Sequence, residues 1–348
     1  MPSGRKGPVV GVVGATGMVG RELIELLGRH RLKVGGLRPF SSGRSRSFVN
    51  FRGRRHAAPA PNAKALTECD LVFLVSSDEV AREHGPALAA RGVWVIDDSA
   101  AFRMDPKVPL VIPEVNASAL RADRRLIAGP NCTMMGLAVA GAELNRVVGV
   151  REVRVASYQA VSGAGQAALS ELFSQTHVLS RGHLRADGRA PILGPGRASV
   201  LPRAIAFNVV PQVGPIGADG YTGEESKVAA ELRKVWGSPN LKISATAVRV
   251  PTIRGHALAA WLTLAKPLSL ARVRALLSKT PGLTLCAENN YPTPRSAGGK
   301  SLVLAGRLRQ GATARELALW IVSDNLLKGA ALNSVQIAEV LQKRGWLR

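Results

Sequence analysis

The amino-acid sequence predicts an α/β chain of two domains: a doubly wound parallel sheet, then an α+β domain on a mostly antiparallel sheet. Three observations carry this. Apolar β runs alternate with helical patterns from Pro8 to Ile127. A strand, a glycine turn and a helix open that alternation, and from Val150 onward long β runs outnumber the helices. A chain of 348 residues is long enough for each domain to have its own core.

Residues 8–13 form the first apolar β run, and Gly14-Ala15-Thr16-Gly17-Met18-Val19-Gly20 follows at once. Residues 21–27 then have helical spacing. In such a unit the glycines let the backbone approach a pyrophosphate seated on the helix N-terminus, which makes this a Rossmann-like dinucleotide turn. Gly14, Thr16, Gly17, Met18 and Val19 are its candidate contacts, although the spacing is G-x-x-G-x-x-G rather than G-x-G-x-x-G.

A second strand is expected over residues 32–37, with the ribose-reading residues at its end. An acidic residue there would suit NAD; the sequence offers Arg38, Ser41, Ser42, Arg44 and Arg46 instead. Positive charge and hydroxyls suit a 2′-phosphate, so NADP is expected, with NAD not excluded.

Residues 70–77 read as a strand buried on both faces, 79–91 as its helix and 93–96 as the next strand. Ligands lie beyond the carboxyl ends of such strands, which puts Ser76, Ser77, Ser99 and Arg103 on the functional edge. The apolar run 126–128 ends at Gly129-Pro130, and a helical pattern begins around Cys132. A cysteine in the first turn of a helix is favoured as thiolate by the unpaired N–H groups and the helix dipole. Position alone does not separate a nucleophile from a small buried packing residue.

In the second part, β runs are expected over 153–161, 242–250, 257–264, 302–308 and 317–322, with helices over 167–179, 223–235 and 270–278. Residues 181–202, rich in Gly, Pro and Arg, read as a loop. The amphipathic pattern 326–341 reads as a last helix able to return to the first domain, so 1–131 with 326–348 make one domain and 132–325 the other. Among six histidines, His256 stands out because Arg249, Pro251 and Gly255 accompany it. No His/Cys/Asp/Glu grouping has metal-ligand spacing.

Composition narrows the class. Three cysteines without a close pair suit a reducing compartment, and no apolar run is long enough to span a bilayer, so a cytoplasmic protein is expected. The net charge of +23 suggests attraction of acidic ligands. A nucleic-acid binder is not expected, because the arginines are spread along the chain and no zinc-finger or RNA-binding signature accompanies them.

Seven segments in order resemble the aspartate-semialdehyde dehydrogenase family over nearly the whole chain. They are the glycine turn, Pro113-Glu114-Val115-Asn116, Gly129-Pro130-Asn131-Cys132-Thr133 and the run from Tyr158 to Gly165. Ile205-Ala206-Phe207-Asn208, Arg249 with His256, and the run from Trp320 to Ala331 complete them. The resemblance implies NADPH-dependent reductive dephosphorylation of aspartyl 4-phosphate to aspartate 4-semialdehyde through a thioester on Cys132.

It implies His256 as general acid/base and Gln159 as the residue orienting the intermediate or its water. Arg249 would clamp the α-carboxylate, and Glu224 or Glu225 would hold the α-amino group. Glu224 is the choice, because Lys227 follows at the family's spacing. Arg103, Asn131 and Lys227 would bind phosphate, and Ser162, Gly163 and Asn325 would join the cofactor residues. The family also implies a homodimer or tetramer built through the second domain.

Phe40 stands where the family usually has an arginine before the second-strand serine. The rival readings are another acyl-phosphate reductase, such as the N-acetylglutamyl-phosphate enzyme, or a non-catalytic relative of the same fold. Arg249 with Glu224 suits a free amino acid better than an acylated one. A non-catalytic relative would be expected to lack Cys132, Gln159 or His256, and all three are present.

Overall fold

The computed structural model describes residues 7–180 and 193–347. Among these the chain forms two compact units. The first takes the chain through Ala142, Ala230–Pro239 and the chain from Leu326 onward; the second takes Glu143–Ala229 and Asn240–Asn325.

The first unit runs β1 (Val9–Val13), α1 (Met18–Arg29), β2 (Gly36–Phe40), β3 (Phe48–Phe51), β4 (Arg54–Ala57), α2 (Ala63–Thr67), β5 (Leu71–Leu74) and α3 (Asp78–Ala90). It continues with β6 (Trp94–Asp97), α4 (Pro113–Asn116), β7 (Leu126–Ala128) and, through Ala142, α5 (Cys132–Val147). Five strands form a parallel sheet in the order β2-β1-β5-β6-β7, and β3 with β4 make a separate hairpin. Alternate residues of each strand feed two cores on opposite faces. Val10, Val12, Phe73 and Ile96 pack with Leu23 and Leu27 of α1 and with Leu332 and Val335 near the C-terminus. Val9, Val13, Val72 and Leu74 pack with Leu66 of α2 and with Ala81 and Leu88 of α3. This is the double winding that continuous apolar runs require.

The second strand corrects the expectation of 32–37. Pairing with β1 sets its register, Val9 opposite Gly36 through Val13 opposite Phe40. Pro39 lies inside it, which an edge strand tolerates because the missing N–H faces no partner strand. Arg38 therefore sits within the strand rather than beyond it.

The second unit holds β8 (Val150–Gln159), α6 (Gln166–Ser180), the start of α7 (Gly223–Trp236), β9 (Lys242–Arg249) and β10 (His256–Leu264). Then come α8 (Leu270–Leu277), β11 (Leu283–Leu285), α9 (Pro294–Ala297), β12 (Val303–Gln310) and β13 (Glu316–Ser323). They build a six-stranded mixed sheet, β11-β12-β13-β10-β8-β9, antiparallel in its three inner pairings and parallel at both edges. Of the expected loop 181–202, residues 181–192 lie outside the described residues, and 193–202 contain no helix or strand.

The last turns of α7 belong to the first unit, where the Trp236 indole N–H donates to Ala138 O at 3.0 Å. The expected last helix begins as a π-helical turn, Leu327–Ala331, and continues as α10 (Leu332–Lys343). Lys328 in that turn is fully buried, its ammonium donating to Glu114 at 2.7 Å and to Gln336 at 2.8 Å.

Candidate active site

Each unit carries its own set of the candidate site residues. In the first, α1 starts directly beyond the carboxyl end of β1, and no side chain caps it at Gly17. Gly14 is left-handed at φ +89°, and a Cβ there would stand 2.3 Å from Val75 O. Only glycine leaves the backbone this close to its neighbour, so the turn fits the backbone cradle a dinucleotide phosphate needs. Thr16, Met18 and Val19 flank the uncapped N-terminus, and Ser76 is exposed after β5.

The residues expected to read a 2′-phosphate separate into two groups. Arg38 Nη1 donates to Glu68 Oε2 at 2.5 Å and to Ala65 O at 3.3 Å. Ser41 is buried and donates to Ala58 O at 2.6 Å. Ser42 and Arg44 are exposed beyond the strand, and Arg46 lies over the Phe48 ring.

Cys132 is the first residue of the sixteen-residue α5 and is half-buried. Asn131 caps that helix: its Oδ1 accepts from the Thr133 N–H at 2.8 Å and the Met134 N–H at 3.2 Å. Its side-chain oxygen is thus used on the helix that presents the thiol, and only its amide Nδ2 could donate to a phosphate. Arg103 is buried, with Nη2 donating to Asp98 O at 2.7 Å and Nη1 to Glu231 Oε1 at 3.0 Å. Burial opposes its charge, but Glu231, with Cys132 and Asp98 behind it, more than offsets this, so its pKa lies above the ordinary value.

In the second unit the topology does the assembling. β8 lies between β9 and β10, parallel to one and antiparallel to the other. Its carboxyl end therefore meets the carboxyl end of β9 and the amino end of β10. Gln159 pairs with Arg249, and Tyr158 pairs with Ala257, next to His256. All three candidate side chains, Gln159, Arg249 and His256, are buried.

The turn after β8 then holds two of them through its backbone. The Ala160 N–H donates to His256 Nδ1 at 3.0 Å, and Ala160 O accepts from Arg249 Nη1 at 2.8 Å. Gly163 lies against both: a Cβ there would be 3.0 Å from Arg249 Nη1 and 3.2 Å from His256 Nε2. Burial, reinforced by the Arg249 charge, pushes the His256 pKa down to about 3.

Gln159 Nε2 donates to Glu224 Oε1 at 3.2 Å. Glu225 is spent elsewhere, its carboxylate accepting from Thr222 N at 2.6 Å and Ala247 N at 2.8 Å. Lys227 is exposed one helical turn after Glu224. Asn325 joins Ser162 and the His256 strand, its Nδ2 donating to Ser162 Oγ at 3.0 Å while its Oδ1 accepts from Gly255 N at 2.8 Å.

Two residues escaped the sequence reading. Glu231 holds Arg103 and the Asn131 N–H, and Lys234 donates to the carbonyls of Arg103, Asp105 and Val108 at 2.7–2.9 Å. Their signal was a polar stripe at helical spacing, Glu224, Glu231 and Lys234 on α7, which reads equally well as a solvated face.

The semialdehyde dehydrogenase NAD-binding domain model matches residues 9–122, and the semialdehyde dehydrogenase dimerisation domain model matches 142–328. The aspartate-semialdehyde dehydrogenase of Synechocystis sp. is 37% identical over 343 residues, covering 97% of this chain and 98% of that protein. The chain belongs to the aspartate-semialdehyde dehydrogenase family. Solved structures of the family agree. Aspartate semialdehyde dehydrogenase II from Vibrio cholerae superposes with a TM-score of 0.91 at 35% identity, covering 97% of this chain and 99% of that one. The same Vibrio cholerae enzyme complexed with ASA gives 0.90 at 34% identity over equal shares. The parallel sheet and the mixed, mostly antiparallel sheet of this chain are the architecture of those family members.

Proposed function

We propose that this chain catalyses the reversible, NADPH-dependent reductive dephosphorylation of L-aspartyl 4-phosphate to L-aspartate 4-semialdehyde and phosphate. Family membership and the ASA complex of the Vibrio cholerae relative support the reaction. The observation that carries the substrate choice is Glu224 at 3.2 Å from Gln159, in the unit that also holds Arg249. A carboxylate and a guanidinium together suit a free α-amino acid.

The Cys132 thiolate, favoured at the start of α5, attacks the acyl carbon, and the carbon–oxygen bond to phosphate breaks. Arg103 neutralises the departing phosphate. The Gly14–Val19 turn would hold the dinucleotide phosphates, and the cofactor when bound would supply hydride to the Cys132 thioester. The resulting thiohemiacetal collapses to the aldehyde and returns the thiolate.

His256 accepts from Ala160 at Nδ1, so the neutral ring carries its proton on Nε2. That tautomer supports the acid half of its acid/base role, donating to oxygen as negative charge builds there. Gln159 orients the bound intermediate, Arg249 the α-carboxylate and Glu224 the α-amino group. A cytoplasmic homodimer completes the proposal, the family's dimerisation domain model covering 142–328.

The test is an NADP-linked assay with aspartate semialdehyde and phosphate, run beside N-acetylglutamate semialdehyde. Activity confined to the first substrate and lost in Cys132→Ser is expected. An inert wild type, or preference for the acetylated substrate, overturns the reading.

A further inference from the structure

We propose that Glu231 is the positioning residue that joins the phosphate-binding arginine to the nucleophile turn. The inference rests on the reaction proposed above. Glu231 is buried on the last turns of α7, far in sequence from both residues it holds. Its Oε1 accepts from Arg103 Nη1 at 3.0 Å, and its Oε2 accepts from the Asn131 backbone N–H at 2.6 Å. Asn131 precedes Cys132 and caps its helix. A single carboxylate thus spans the anion-binding side chain and the backbone that aims the thiol.

The guanidinium is held at both ends, by Glu231 at Nη1 and by Asp98 O at Nη2. Its Nε is buried and has no hydrogen-bond partner among the described residues. A charged donor in that state calls for an acceptor the described residues do not supply, a need that an anion would meet. Glu231 fixes the plane in which that donor is offered.

The carboxylate is required by both donors. An amide in its place could accept at one oxygen only and would turn N–H groups toward Arg103 or Asn131. The residue therefore acts through Arg103 and Asn131 and touches no substrate itself.

The decisive measurement is the KM for phosphate in the oxidative direction, with the full-length chain. In Glu231→Gln it is expected to rise about tenfold or more, with the KM for aspartate semialdehyde within about threefold. A merely structural ion pair would lower the active fraction and leave both KM values unchanged. Combined with Arg103→Lys, the Glu231→Gln effect on phosphate should shrink to about twofold or less, because the shared partner is gone.

Glu231→Asp keeps the charge but is one methylene too short to span both donors. It provides the same readout should the glutamine variant fail to fold. An unchanged phosphate KM in a folded variant overturns the proposal.

Should the wild type turn over no aspartate semialdehyde, the reaction reading fails. Glu231 is then tested by phosphate protection of Cys132 from iodoacetamide. Protection of wild type that needs about tenfold more phosphate in Glu231→Gln sustains the role, and equal protection in both rejects it.

Discussion

The backbone N–H of Ala160 donates to Nδ1 of His256 at 3.0 Å, fixing a neutral imidazole in a buried site beside Arg249. Burial first, and the Arg249 charge second, hold its pKa at about 3. The unfolded chain takes up this proton near pH 6.5, the folded chain only near pH 3. The contribution is fully present above the unfolded value and is lost as pH falls through that window. Wild type should lose stability there by up to about 1.4 kcal/mol per pH unit more than His256→Asn, which keeps an acceptor for Ala160. Urea unfolding at pH 6.5 and 4.5 checks this; parallel losses in both proteins would refute it.

Gly163 lies tight against two site groups. The Cβ of Gly163→Ala would press on Arg249 Nη1 at 3.0 Å and His256 Nε2 at 3.2 Å. Displacing two site groups by a fraction of an ångström should lower kcat about 10- to 100-fold, with a stability loss of about 1–2 kcal/mol. Steady-state kinetics beside a thermal melt would separate the two; an unimpaired rate would contradict the geometry.

Cofactor preference should follow Arg44 rather than Arg38. Arg38 is tied to Glu68, whose carboxyl it holds below the usual range, whereas Arg44 is exposed beyond the strand. Arg44→Ala should raise the KM for NADPH about tenfold and leave that for NADH unchanged, the loss of one charge-assisted contact. Arg38→Ala should shift the KM for NADPH by less than about threefold. The reverse order of effects would identify Arg38 as the reader.

The buried Lys328 offers a stability test remote from the chemistry. Its ammonium contacts Glu114 and Gln336, which also bond to each other at 2.8 Å. Lys328→Met leaves Glu114 partly buried without its cation and should cost about 3–5 kcal/mol. Adding Glu114→Gln should recover part of that loss, because both charges are then gone. Denaturant unfolding of the single and double variants measures it; no recovery would mean that the pair is not what the cost reflects.

Local pattern was enough for the framework. Continuous apolar runs of β1, β5 and β6 can be satisfied only by burial on both faces, and the glycine turn and Cys132 declare themselves by position along a strand–turn–helix unit. The extent of β2 did not follow from pattern, because Pro39 reads as a break until an edge position removes the objection.

By itself, then, the sequence determined two sheet-based units, a dinucleotide turn and a cysteine at a helix start, since each depends on residues within a few positions of one another. Only the tertiary structure decided which polar groups meet. It placed His256 on Ala160 across 96 residues, Glu224 rather than Glu225 on Gln159 across 65, and Glu231 on Asn131 across 100. The reason is physical. A polar side chain takes its role from the partner that satisfies it after burial, and strand order brings that partner from far along the chain.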